Sequence, residues 1–213
     1  MEHYTQLTQL IALTMGVAWA SGINLYATLL SLGLMGQMGY VELPVELTVL
    51  SDPLVIMASG LMYMVEFVAD KTPGVDSSWD AIHTFIRIPA GALLAAGMVG
   101  EVGLAAELAA AIVGGTLTSG AHLTKASSRL IINTSPEPVS NWTASFAEDI
   151  AVFAGLWAAL NHPILFLVLL IVFIIFVVYM LPRLLKQLKT LLAKVSSLFS
   201  ARKSTAIDEQ DIQ

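Results

Sequence analysis

Three pairs of ionisable residues stand inside long apolar runs of this 213-residue chain. Glu66 and Asp70 are four apart, Lys125 and Arg129 are four apart, and Glu148 and Asp149 are adjacent. A four-residue spacing places both charges of a pair on one helix face. An ionised side chain at the centre of a spanning helix costs about 2.5–3.5 kcal/mol on insertion scales. Groups so placed must pair, take up a proton or reach water. The expected arrangement sets Glu66 and Asp70 against Lys125 and Arg129, with Glu148 and Asp149 on the neighbouring span. His122, one turn from Lys125, joins them and titrates near neutral pH in its unperturbed state. Two readings follow. The groups form a structural ion-pair cluster whose long side chains snorkel to water, or the same cluster gates a solute pathway or relays protons along it.

Two Ser-Gly motifs supply a second constellation. "SGINLYATLLSLGLMG" spans 21–36 and "SGAHLTKASSRL" spans 119–130, and Gly16, Ser21, Gly22, Leu25 and Leu32 align with Gly114, Ser119, Gly120, Leu123 and Leu130. As helix breaks, Ser21, Gly22, Asn24, Ser119 and Gly120 would turn backbone groups toward a cavity; as small residues they would only let helices touch. Enzyme chemistry finds no support. The chain has no phosphate-binding Gly-Lys-Ser/Thr loop, no His-Glu-x-x-His helix and no dinucleotide fingerprint. Its four histidines (His3, His83, His122, His162) are scattered, so neither a metal nor another cofactor is expected. There is no cysteine, which excludes disulfides and thiolate sites.

The elements that position these groups are membrane helices. The chain is 56% hydrophobic and 12% charged, about half the charge of an ordinary soluble domain. An all-α, polytopic helix bundle of six spans is expected, at 8–36, 53–70, 88–105, 108–132, 141–160 and 163–181. "ILFLVLLIVFIIFVVYML" is the clearest of them. With six spans and an internal C-terminus, all ten Lys and Arg fall on the cytoplasmic side, while the outer loops carry Glu42, Glu46, Asp52, Glu101 and Glu107. Both termini are then cytoplasmic, and the aligned Ser-Gly motifs suggest a three-plus-three inverted repeat. A competing repeat links "TPGVDSSW" at 72–79 with "SPEPVSNW" at 135–142, at a different offset. "NWT" at Asn141 reads as a helix start rather than a glycosylation site.

Between spans two and three, "SSWDAIHTFIR" reads as a short helix lying at the membrane surface on Trp79, Ile82, Phe85 and Ile86, with His83 interfacial. Residues 1–182 form the membrane domain. Residues 183–200 follow as a basic amphipathic helix, whose Lys186, Lys189 and Lys194 suit anionic lipid. Residues 201–213 are a disordered tail. Nothing in the chain suits nucleic acid, since its basic stretch lacks interleaved aromatics; homo-oligomers stay open.

Taken together, "ASGINLYAT", "VEFVADKTPGVDSSWDAIHTFIRIPAGALLAA", "TSGAHLTKASSR" and "SPEPVSNW" resemble a bacterial integral-membrane family known as domain of unknown function 4126, from about residue 10 to 180. The resemblance implies a bacterial inner-membrane setting and brings no activity or substrate with it. Two functions remain in contention: a small transporter or channel for an ion or solute, and a non-transport scaffold that organises membrane or binds lipid. A wet polar cavity between the two Ser-Gly helices favours the first, and a dry seam there favours the second.

Overall fold

A computed structural model of the chain describes residues 2–72, 74–134 and 138–210, with side chains except at 2–3, 138, 184, 187–188 and 191–210. The elements described are all helical: α1 Glu2–Ile23, α2 Leu25–Gln37, a 3₁₀ segment Val45–Ser51, α3 Pro53–Ala69, α4 Val75–Met98, α5 Leu104–Ile132, α6 Pro138–Asn161 and α7 Pro163–Gln210. Local signals set the boundaries. Asp52 caps α3 by accepting from the Leu54 amide at 2.8 Å, with Pro53 at the first helical position. Gly103, at φ 123°, makes the turn into α5 that a side chain would oppose.

α1 is the axis of the bundle. Ala12, Val17, Ala18, Ala20 and Ser21 are fully buried between α4, α5, α6 and α7. Small residues make this approach close enough to be dry. A Cβ on Gly22 would strike the Thr118 carbonyl and Ala121, one on Gly114 would strike Ala95, and one on Gly91 would strike the Thr118 side chain. The Thr118 hydroxyl lies 2.7 Å from the Ala18 carbonyl and 2.8 Å from that of Gly114, tying α1 to α5. Van der Waals packing of this kind is what drives helix association in lipid.

These contacts also fix direction. Ala18 lies beside Thr118 and Gly22 beside Ala121, so α1 runs parallel to α5. Gly16, Trp19 and Asn24 meet Ala159, Gly155 and Asp149 in turn, so α1 runs against α6. α2 then turns back. Gly33 packs on the Leu50 carbonyl and Ile56, while Leu47 of the same 3₁₀ segment packs on Gly97 at the far end of α4 and Glu46 on Gly100 just beyond it. α1 and α2 are therefore a hairpin, open at the Glu46 end of the bundle, with Asn24 at its apex halfway down.

That hairpin revises the expected topology. The run at 8–36 enters and returns instead of crossing. Among the described residues four single helices are long and apolar enough to cross a membrane: α4, α5, Val139–Asn161 of α6 and Pro163–Arg183 of α7. The 3₁₀ segment and α3, bent by 68°, make at most a fifth. The two ends of the described chain accordingly sit at opposite ends of the bundle.

The helix break falls at Asn24 and not at Ser21-Gly22. Asn24 is extended (φ −144°, ψ 101°), its amide closes α1 on the Ala20 carbonyl at 2.9 Å, and its Oδ1 caps α2 at the Ala27 amide, also at 2.9 Å. Ser21 and Ser119 donate to carbonyls four residues back at 2.7 Å and stay helical, and α5 passes Ser119-Gly120 unbroken. The aligned positions also differ in environment. Leu25 and Leu32 are buried, whereas Leu123 and Leu130 lie at the surface.

"SSWDAIHTFIR" is the first half of α4, not a separate surface helix. α7 continues through Pro182 to Gln210, so no break marks the expected boundary at 182/183, and residues 211–213 lie outside the described residues.

Candidate functional site

The second half of α3, the first half of α4, the second half of α5 and the first half of α6 meet in the Arg183 half of the bundle, and every charged face turns inward. Arg87 is fully buried, paired with Glu66 and, at 3.0 Å, with Asp80. Lys125 Nζ lies 2.7 Å from Asp70, 3.4 Å from Glu66, 3.5 Å from Glu148 and 3.9 Å from Asp80. Arg129 grips Glu148 through Nη2 at 2.6 Å and Nε at 3.2 Å, and donates to the Asp70 and Asn141 carbonyls at 3.0 Å. Charges this deep persist because they are paired; removing one partner of a buried pair costs about 3–5 kcal/mol.

The expected opposition of Glu66 and Asp70 to Lys125 and Arg129, with Glu148 close, is present. His122 joins the cluster, through Arg87 and Thr84. Arg87 Nη1 stands 3.2 Å from His122 Nδ1, and a guanidinium can only donate. Nδ1 must accept, so Nε2 carries the proton and donates to Thr84 Oγ1 at 2.8 Å. Thr84 in turn donates to the Asp80 carbonyl at 2.9 Å. This chain of bonds fixes the imidazole between Arg87 and Thr84, where it braces the cluster.

Asp149 also departs from the group. Its Oδ1 accepts from Asn24 Nδ2 at 3.2 Å at the hairpin apex, and its Oδ2 is buried without a hydrogen-bond partner.

Asp76, Asp80 and Arg87 are the members that sequence reasoning missed. Their signal was legible. Asp76, Asp80, His83 and Arg87 follow one another at intervals of four, three and four, which is one helix face. On the opposite face Ile82, Phe85 and Ile86 are exposed. α4 is thus amphipathic inside out, and its apolar face looks toward lipid.

At the Arg183 end Asn133 of the α5 end links Asp76 of α4 to Asn141 of α6. Asp76 Oδ1 accepts from the Gly74 amide (3.0 Å), the Ser77 amide (2.5 Å) and Asn133 Nδ2 (2.7 Å). Asn141, buried within α6 as a helix-start residue, donates to Asn133 Oδ1 at 2.7 Å. Beside them Lys71 donates to Ser145 Oγ at 3.1 Å, with Nζ 3.0 Å from the centre of the Phe67 ring. Burial pushes the Lys71 ammonium down, and the nearby Asp149 and Asp70 carboxylates oppose that shift.

Six carboxylates (Glu66, Asp70, Asp76, Asp80, Glu148, Asp149) thus surround three buried cations and the half-buried Lys71. Among the described residues no three acidic or histidine side chains are arranged to hold a metal ion. An apolar groove lies elsewhere, between α5 and α7, lined by residues such as Leu117, Phe173 and Val177.

A family model described as "Domain of unknown function (DUF4126)" matches residues 11–183. The chain belongs to the DUF4126 family. No curated protein and no solved structure matches it. The DUF4126 match takes in the α1–α2 hairpin and the whole charged cluster, and it ends at Arg183, so the basic continuation of α7 lies beyond it. With its several apolar helices of crossing length, this DUF4126 chain is a multi-pass membrane protein.

Proposed function

We propose that this protein is a small transporter or channel for an ion or small solute, held closed in this conformation, with the charged cluster as its cytoplasmic gate. The carrying observation is the α1–α2 hairpin. It brings two half-helix ends to mid-depth, and each end faces a buried ionisable side chain. Lys125 Nζ donates to the Ile23 carbonyl at the C-terminal end of α1, at 3.1 Å. Asp149 faces Asn24 at the N-terminal end of α2. Half-helix ends aimed at charges inside a bundle are a recurrent way of building an ion site in lipid. Five crossings plus this re-entrant hairpin put every Lys and Arg in the Arg183 half of the bundle or beyond it, which the positive-inside bias makes the cytoplasmic side; the N-terminus is then external.

The dry seam at Gly22 and Thr118 favours a second reading, a scaffold whose helices only pack. In that reading the exposed Lys186 and Lys189 hold anionic lipid at the inner leaflet; the Lys194 side chain lies outside the described residues. Proteoliposomes loaded with ion- and pH-sensitive dyes separate the two. Flux in the wild type that falls with Glu66→Gln supports transport. Uniform silence across ions and small solutes supports the scaffold.

A further inference from the structure

The carboxylates of the cluster are not equivalent. Glu66, Asp70, Asp80 and Glu148 each lie within 4.0 Å of one or more of Arg87, Lys125 and Arg129. Asp76 has no such cation but gathers three N–H donors on one oxygen. Asp149 has neither. Among the described residues no cation stands within ion-pair distance of it, Asn24 donates to its Oδ1 at 3.2 Å, the Tyr63 phenol faces it, and its Oδ2 lacks a partner at hydrogen-bond distance although the residue is 92% buried. An ionised carboxylate in that position is left with most of its desolvation cost uncompensated.

The surroundings suit a mobile proton better than a metal ion. Asp149 faces Asn24 from the hairpin, Tyr63, Asp70 and Lys71 from α3 and the turn after it, and Lys125 from α5; Glu148 is its neighbour on α6. This set offers an amide, a phenol and two ammonium groups, and its carboxylates Asp70 and Glu148 are already taken by Lys125 and Arg129, the wrong chemistry for a cation cage. Polar side chains lead away from Asp149 in both directions. Toward the Arg183 end, Ser145 lies one turn back on α6 and holds Lys71 at 3.1 Å. Toward the Glu46 end, Asn24, Thr28 and Ser31 form a buried row at i, i+4 and i+7 on α2.

We infer that Asp149, at the apex of the re-entrant hairpin, is the proton-binding residue of the pathway, reached from the cytoplasm past Lys71 and Ser145 and from outside along Asn24, Thr28 and Ser31. This rests on the transport reading and names its coupling ion. The step is a simple protonation: a lone pair on Oδ2 takes a proton from bulk water relayed past Lys71, giving a neutral carboxylic acid, and release returns the proton to water on the other side. The arginine- and lysine-clamped carboxylates stay paired and take no part in this proton step.

Infrared difference spectroscopy of the full-length protein in lipid nanodiscs tests this, because a protonated carboxyl has a C=O stretch that a carboxylate lacks. The expected result is such a band at neutral pH, lost in Asp149→Asn and kept in Asp76→Asn. Carbon-13 labelling of all aspartates in the wild type must shift the band, and labelling of glutamates must not. That measurement decides the matter even where Asp149→Asn fails to fold. A band that survives Asp149→Asn, ignores aspartate labelling or is absent at neutral pH overturns the assignment. Silent liposomes with the band present would remove transport and leave the proton site standing. Proton-independent flux without the band would do the reverse.

Discussion

Arg129 and Glu148 meet across the α5–α6 turn through two parallel contacts, Nη2 to Oε2 at 2.6 Å and Nε to Oε1 at 3.2 Å. The fork is anchored at its back by the Asp70 and Asn141 carbonyls, so one guanidinium joins α3, α5 and α6. Lysine, a point donor without the planar fork, cannot make these contacts together. Arg129→Lys is therefore expected to lower the melting temperature in detergent clearly. Glu148→Ala, which strips the buried guanidinium of its best partner, should cost about 3–5 kcal/mol. Equal melting of both variants and wild type would show that the fork holds nothing together.

Arg87 and Glu66 form the deepest pair, and Lys125 also reaches Glu66 at 3.4 Å. Arg87→Met removes the cation that Asp80 and Glu66 share, whereas Glu66→Gln leaves Arg87 still paired with Asp80. The arginine variant should thus be the more damaging of the two by thermal unfolding. Combining Arg87→Met with Glu66→Gln should recover part of the loss, because one uncompensated charge is removed. A double variant that simply sums the single losses would refute that coupling.

Gly22 is the tightest point of the α1–α5 seam. Its replacement by alanine drives a methyl group into the Thr118 carbonyl, which belongs to backbone and has no rotamer to yield. Overpacking of this kind costs about 1–3 kcal/mol. Gly120→Ala is the control, since its nearest neighbour is the Val177 side chain at 3.6 Å. Unfolding should separate the two glycines, with Gly120→Ala near wild type.

The hairpin makes a topological prediction that a cysteine-free chain tests cleanly. A single cysteine at Gln6 should react with a membrane-impermeant thiol reagent added outside whole cells, as should one at Glu101. One at Lys186 should react only after the inner face is exposed. Inside labelling at Gln6 would restore a sixth crossing and break the hairpin interpretation.

Part of this site is legible in the sequence, and part is hidden for identifiable reasons. The pairing of Asp70 with Lys125 follows from four-residue spacing on two apolar helices, because lipid leaves buried charges no other partner. Arg87 and Asp80 escape because exposed Ile82, Phe85 and Ile86 look alike whether they face the lipid around an upright helix or beneath one lying flat. The hairpin escapes for a related reason: hydropathy measures how apolar 8–36 is and carries no sign for the direction of the chain after Asn24. Asn24 itself was visible as a polar residue. Its use as a cap depends on where α2 can pack, which is decided by the 3₁₀ segment and α3.

The hairpin apex also constrains the order in which the protein can be assembled. Asn24 is separated by 125 residues from Asp149, with which it shares a hydrogen bond. At translation rates of about 5–20 residues per second, that is roughly 6–25 s during which the Asn24 segment has no partner for its apex. α1 is closely enclosed in the finished bundle, yet it is made before α5 and α6 and must wait at the bilayer for them to arrive. Its final seating is therefore a late event, and helices made after it close around it.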